Sequence, residues 1–587
     1  MEPAEGQTKL PENIPASKNP FSGVRFRDFI YLAHILGQKE RALLGFALVL
    51  ALISGTTAAG LFFFTHTNES PRTGGVIREG LLRPPERINP LFLSNNDTDR
   101  DISMLLFSRL FTYDADGALQ PEIAESYSIS EDGRSYSVSL KKDVKWHDGE
   151  PLTADDVVFT VKSIQDPLYK SSIRPNWQGV TIERLGDYEV RFVLRQPYSP
   201  FLQNLALAVI PEHIWKKIPP DSASLAELNA KPIGSGPYMA GEFERDSNGV
   251  ITRYTVNANP SFFLEGPYIK TVEFSFFDSE QNLLQAFRAG LIDSVGTVSA
   301  RNADTFKKAG ASVFAIRIPR VFAVFLNESN AALKDKTTRQ ALALAIPRDE
   351  LISDVLGGGA IKIDSPIPPG SFGFNPDIVP TPFDIELAKS LLEKSGWKDL
   401  DGDGLREKKA AKKGASSTPL KLTLATSDWN DLASSAEAIR GYWRNIGVET
   451  ELKILPINEL EADIIRPRAY DSLLFGEILG RDPDPFAFWH SSQLKDPGLN
   501  IALYHSKKVD TLMEDARRAN DRADVEAKYR EFQKILDQDF PSIFLYSPTH
   551  FFAARTNIRG INLKSLGIPA DRFSLMRLWY IKTKRIF

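Results

Sequence analysis

The stretch Val144-Lys145-Trp146-His147-Asp148-Gly149-Glu150-Pro151-Leu152-Thr153-Ala154-Asp155-Asp156-Val157 decides how the chain is read. Its first residues alternate apolar and polar, as a half-buried strand does. Asp148-Gly149 is a tight-turn dipeptide. Thr153 then offers a hydroxyl cap to a helix whose first turn carries Asp155 and Asp156, where the helix dipole favours acids. Just upstream, Asp132-Gly133 marks another turn, and Tyr136, Val138 and Leu140 alternate with polar residues. The segment therefore predicts strand, turn and capped helix in quick succession.

Around that segment the chain runs to 587 residues, too long for one core and suggestive of about three or four domain-sized units. Apolar content of 42% and charged content of 25% are ordinary for a folded protein. A net charge of −4 gives no reason to expect nucleic acid as a partner. Cysteine is absent, which excludes disulfides, zinc thiolate sites, a cysteine nucleophile and a cysteine-linked lipid.

Residues 1–24 are rich in Pro, Glu, Lys and Ser and predict disorder. Arg25 to Leu32 has helical apolar spacing, which fits either an amphipathic helix on a membrane surface or an extension of the next helix. From Ala42 to Phe64 there are 23 residues without a charge. At ~1.5 Å per residue they reach about 34 Å, enough to cross a bilayer core. Lys39 and Arg41 before this run favour a cytoplasmic N-terminus. A lead-in of some forty residues is long for a signal peptide, so an uncleaved single-pass anchor is expected.

Further motifs follow in order: Gly74-Gly75-Val76-Ile77, Ile88-Asn89-Pro90-Leu91, Leu110 to Asp114, Gln120 to Tyr127, Pro232 to Tyr238, Asn259-Pro260, Ala286 to Gly290, Arg339 to Ile346 and Asp364 to Gly370. Together with the segment at 132–157, their collinear order resembles the peptide/nickel class of ABC-transporter solute-binding proteins over about residues 74–580. That resemblance implies an α/β, bilobed periplasmic-binding-protein-like fold: two mixed lobes with a hinge, and an extra subdomain inserted in lobe one. It would place lobe one at 74–106, 226–318 and 546–587, the insertion at 107–225 and lobe two at 319–545. Ahead of these come a cytoplasmic tail (1–41), the transmembrane helix (42–64) and a linker (65–73). The chain crossings would lie at Arg317 to Arg320 and Phe544 to Pro548.

The sequence contains no G-x-S-x-G elbow, H-E-x-x-H pair or Walker loop, so no catalytic residue is assigned. Its seven histidines lack metal-ligand spacing, and no metal or cofactor is expected. Asp399-Leu400-Asp401-Gly402-Asp403-Gly404 superficially resembles a calcium loop, but position 12 is Ala410, not Glu, and it reads as a turn. Gly357-Gly358-Gly359 reads as a helix stop.

Ligand contacts are expected in Gly480-Arg481-Asp482-Pro483-Asp484-Pro485-Phe486-Ala487-Phe488-Trp489-His490, a polar loop delivered by the apolar run Leu473-Leu474-Phe475. In the family such a loop, ending in Asp-Pro, presents an aspartate to the free amine of bound peptides. Aligning that Asp-Pro with Asp484-Pro485 puts Arg481 at the amine position, where a guanidinium suits carboxylate or phosphate instead. A shifted register would make Asp482 the clamp; pairing of Arg481 with Asp482 or Asp484 is the third reading. Phe488 and Trp489, with Trp177 from the insertion, are candidate apolar walls, equally compatible with core packing. Asn327 could offer its amide to a ligand backbone.

The expected function is a membrane-anchored extracytoplasmic binding component of an ABC importer for peptides or similar small polar ligands. It would act as a monomer with permease subunits as partners and no catalysis. A sensor or docking protein built on the same fold is one alternative; an extracytoplasmic hydrolase is another, and a disfavoured one.

Overall fold

The computed structural model describes residues 37–92, 96–409, 416–519 and 521–586. The tail expected to be disordered and the Arg25 to Leu32 segment lie outside them. The chain divides into two compact units, one covering residues up to 70 and from 583 onward, the other 71–582. In the first unit, Gln38–His66 forms a helix of 29 residues, long and apolar enough to cross a membrane. It overruns the expected 42–64 at both ends because Gln38 to Arg41 and Thr65-His66 are tolerated by the helical backbone. Within the same unit the Arg585 guanidinium lies 4.4 Å from the Phe64 ring.

The second unit is organised by a twelve-stranded sheet. Its central member is Ser542–Arg555, long enough to serve two halves. The start of this strand pairs antiparallel with Arg320–Leu326, Phe325 lying opposite Ser542. Its end pairs with Ala311–Arg317, Ala311 lying opposite Arg555. On the first side the sheet continues through Ser472–Ile478, Lys421–Ser427 and Glu449–Leu455. On the other it continues through Ser294–Val298, Val76–Leu81, Thr271–Phe276, Ile251–Ala258 and Tyr238–Arg245. Two passages join the halves: Ile318-Pro319, between adjacent strands, and the middle of Ser542–Arg555. The result is two mixed α/β lobes. The aromatic runs at Phe274 and at Phe544 to Tyr546 are core strands within them.

Each lobe buries its own apolar faces. In the lobe after Pro319, one face packs Leu342, Leu424, Trp443 and Leu474, and the other packs Phe325, Leu473, Trp489, Tyr529 and Phe532. A separate four-stranded sheet orders Ala124–Ile129, Ser135–Leu140, Glu189–Leu194 and Val180–Gly186. Its inward residues Tyr136, Val138 and Phe192 belong to the same continuous core as Ile77, Phe274, Phe552 and Trp579 of the first lobe. The four-stranded sheet thus shares a core with the large sheet.

The segment at 144–157 behaves largely as its residues dictate. The helix runs Ala154–Gln165, with Asp156 accepting the Thr153 N–H at 2.9 Å. Gly149 turns the chain with φ +96°. The expected strand is reduced to one bridge, Lys145 with Pro151. Pro151 has no N–H to continue a ladder. Gly357 ends the helix Arg348–Leu356 in the left-handed conformation, and Gly358 N–H donates to Ile352 O.

Candidate functional site

The strand Ser472–Ile478 is held in register by Arg320–Leu326, which fixes where the following loop emerges. Gly480 reverses the chain at φ +71°, in the region that favours glycine. Arg481 then extends toward Ser565 and Asp571, and Asp482 and Asp484 toward Gln203 and Tyr198.

The Arg481 side chain is largely enclosed, and its Nη2 donates to Ser565 O and Asp571 Oδ2, both at 3.1 Å. The Tyr113 ring lies 4.7 Å beneath the guanidinium. Asp571 is itself fixed by the Gly567 and Ile568 N–H groups. Asp482 accepts from Gln203 Nε2 and Arg522 Nη1, each at 3.0 Å. Burial raises the pKa of this carboxyl, and Arg522 works against that rise. Asp484 takes a forked pair from Arg517 Nε and Nη2 and a third bond from the Tyr198 hydroxyl at 2.9 Å. It also accepts the Phe486 N–H, which is turn chemistry at the start of the short helix Phe486–Trp489. The pairing of Arg481 with Asp482 or Asp484 is therefore replaced. Its acid is Asp571, and each loop aspartate has another arginine.

These contacts tie the loop to three elements far away in sequence. Two openings border the loop and its partners. One, of about 470 Å³, is walled by Asp116 and Gly117, the passage Arg317 to Pro319, the loop Pro368 to Phe372, and Arg481, Arg522, Ser547, Lys564 and Ser565. Both chain passages and both lobes thus contribute to one cavity, of a size usual for small-molecule sites. The other, of about 1040 Å³, is wider and lies between residues 165–201 and Arg517.

The remaining expected site residues are placed elsewhere. Trp489 is 1% exposed and packs among Phe325, Phe532 and Phe544 in the core of its lobe. Phe488 is half-buried against the same core. Asn327 is buried, its Nδ2 donating to Tyr470 O and its Oδ1 accepting the Ser329 N–H. Trp177 is wedged between Phe192 and Phe201 and reaches only the wall of the wider opening. Sequence reasoning missed Arg522, Arg517, Lys564, Tyr198, Gln203 and Asp571. Arg317 and Tyr113 were within quoted motifs but were not singled out.

Asp399, Asp401 and Asp403 come close together, all exposed. Asp399 accepts the Gly402 and Gly404 N–H groups and Asp403 accepts that of Leu405, as in a tight turn.

Comparison with known proteins agrees with this geometry. Residues 118–498 match the family described as bacterial extracellular solute-binding proteins, family 5 (middle region). The oligopeptide-binding protein AppA of Bacillus subtilis is 30% identical over 522 residues, covering 87% of this chain and 93% of that protein. The structure of AppA in complex with a nonapeptide superposes with a TM-score of 0.70, covering 87% of this chain and 100% of that one. NikZ from Campylobacter jejuni, solved in complex with Ni(L-His), is 25% identical with a TM-score of 0.70, over 86% of this chain and 99% of that one. With both lobes, both passages and the cavity between them accounted for, the chain belongs to the family 5 extracellular solute-binding proteins, non-catalytic proteins of ABC importers that bind their ligand between two lobes.

Proposed function

We propose that this protein captures peptides or similar small polar solutes outside the cytoplasmic membrane and passes them to the permease subunits of an ABC importer. The helix Gln38–His66 is its tether, with the N-terminus in the cytoplasm. Lobe one comprises 74–106, 226–318 and 546–587, lobe two 319–545, and the insertion 107–225. The observation that carries this reading is the cavity of about 470 Å³, because its wall draws on both lobes and both passages. A solute there touches the parts that move apart when the lobes open, so its binding energy acts directly on the open–closed equilibrium. The peptide named with AppA supports the solute class.

The test is native mass spectrometry of the full chain purified in detergent, followed by thermal-shift screening with a peptide library. A solute that binds the folded state at 100 times its Kd adds about 2.7 kcal/mol of stability and raises the melting temperature. A chain that carries no small molecule and is shifted by no peptide would refute the reading.

A further inference from the structure

The cavity between the lobes is unbalanced in charge. Four cations line it, Arg317, Arg481, Arg522 and Lys564, against one acid, Asp116. Three of the cations have partners. Lys564 meets Asp116 at 2.7 Å, Arg522 meets Asp482 at 3.0 Å and Arg481 meets Asp571 at 3.1 Å. The Arg317 guanidinium has no acceptor among the described residues, and a Cβ added at Gly370 of the same cavity would stand 3.5 Å from its Nη1.

Arg481 is more telling. Its side chain is 8% exposed, yet only Nη2 is bonded; Nε and Nη1 have no acceptor among the described residues. Buried guanidinium N–H groups without acceptors are unfavourable and uncommon, so a partner is called for. Nη1 lies beside Gly117 of the same cavity wall, where a Cβ would stand only 2.7 Å from it. The missing side chain is what lets the guanidinium come up to the wall. The single lining acid, Asp116, is already occupied by Lys564, which leaves no carboxylate for an ammonium group.

We infer that the solute enters this cavity through an oxyanion, a carboxylate or a phosphate, received by Arg481 with Arg317, and that no free amine is recognised there. This rests on the reading that the cavity is the solute site, and it names the chemical class taken. A guanidinium attracts an oxyanion through charge-assisted hydrogen bonds and repels an ammonium.

The experiment is isothermal titration of the full chain in detergent with trialanine, N-succinyl-trialanine and inorganic phosphate. N-succinyl-trialanine, whose amine is replaced by a carboxylate, is expected to bind roughly ten-fold or more tighter than trialanine, the worth of one charge-assisted hydrogen bond. Arg481→Met should erase that preference, and Arg317→Met should reduce it. Because Arg481→Met strands Asp571, the pair Arg481→Met with Asp571→Asn is measured too, with near-UV circular dichroism to certify folding. Phosphate binding that is lost with Arg481→Met supports the inference with phosphate as the group; succinyl binding with phosphate silent supports it with carboxylate. Tighter binding of trialanine, or an unchanged ratio in folded Arg481→Met protein, overturns the inference and leaves the cavity as the solute site. Silence from all three probes in folded wild-type protein overturns the inference, while the peptide-library shift decides the solute-site reading separately.

Discussion

Glu477 sits on the strand that carries Arg481, directly opposite Val321 in the antiparallel pair. It is 2% exposed, and neither carboxyl oxygen has a hydrogen-bond partner among the described residues. Burial alone pushes its pKa up to about 8 from an ordinary 4.5. The folded protein therefore holds a proton that the unfolded chain releases across that interval. The sign follows from proton counting: where the native state binds more protons, stability falls as pH rises. One such group loses ~1.4 kcal/mol per pH unit, so between pH 6 and pH 8 the wild type should lose about 2–3 kcal/mol through Glu477. Glu477→Gln has the shape of the protonated acid and no charge to expose. Because the unfolded chain begins to release its proton near pH 4.5, the two proteins should be nearly equal in urea denaturation at about pH 4, and the variant should gain that amount on the wild type between pH 6 and pH 8. Glu477→Leu removes the unpartnered polar group altogether and should gain about 1–3 kcal/mol even at pH 6. Parallel stability curves for wild type and Glu477→Gln between pH 6 and 8 would refute the assignment of a buried, protonated carboxyl.

Two other buried ionisable sites make distinct predictions. His147 accepts the Gly234 N–H at Nδ1 and donates from Nε2 to Gly236 O, so the fold holds it neutral, and burial lowers its pKa to about 4. Here the unfolded chain binds the extra proton below its ordinary value of 6.5, so stability is lost as pH falls from about 6.5 to about 4. His147→Gln should flatten that limb by ~1.4 kcal/mol per pH unit in denaturation measured from pH 7 to 4. Arg572, fully buried, grips both oxygens of Asp101 at 2.6–2.7 Å and reaches Glu79 at 3.2 Å. Arg572→Met strands two buried acids and should destabilise by about 3–5 kcal/mol at pH 7.5, with part of the loss recovered at pH 5.5, where Glu79, whose pKa burial raises to about 7, is protonated.

What the residues disclosed in advance was local. Thr153 and Asp156 cap a helix whatever surrounds them, and Tyr136, Val138 and Leu140 alternate because one sheet face is buried. The loop at Arg481 was visible because an apolar strand runs into Gly, Pro and acids within a few residues. Its partners were not. Tyr198 lies 286 residues from Asp484 and Gln203 lies 279 from Asp482, and nothing in the local pattern of either announces such a contact. Trp489 and Trp177 illustrate the opposite limit. A large aromatic near a polar loop has the same sequence signature in a ligand wall and in a core, and only packing against Phe325 and Phe532, or Phe192 and Phe201, separates the two.

The fates of the three charged loop residues bear on one another. Asp482 spends its acceptors on Gln203 and Arg522, and Asp484 on Tyr198, Arg517 and the Phe486 N–H, so both are taken up in joining the lobes. Of these three, Arg481 alone lines the cavity, and its Nε and Nη1 have no acceptor among the described residues. A register shift that made Asp482 an amine clamp would have to break its bond to Arg522 and turn that arginine loose beside the arriving ammonium. The same loop can therefore close the lobes with its acids while meeting the solute with its base, and these two tasks need opposite charges.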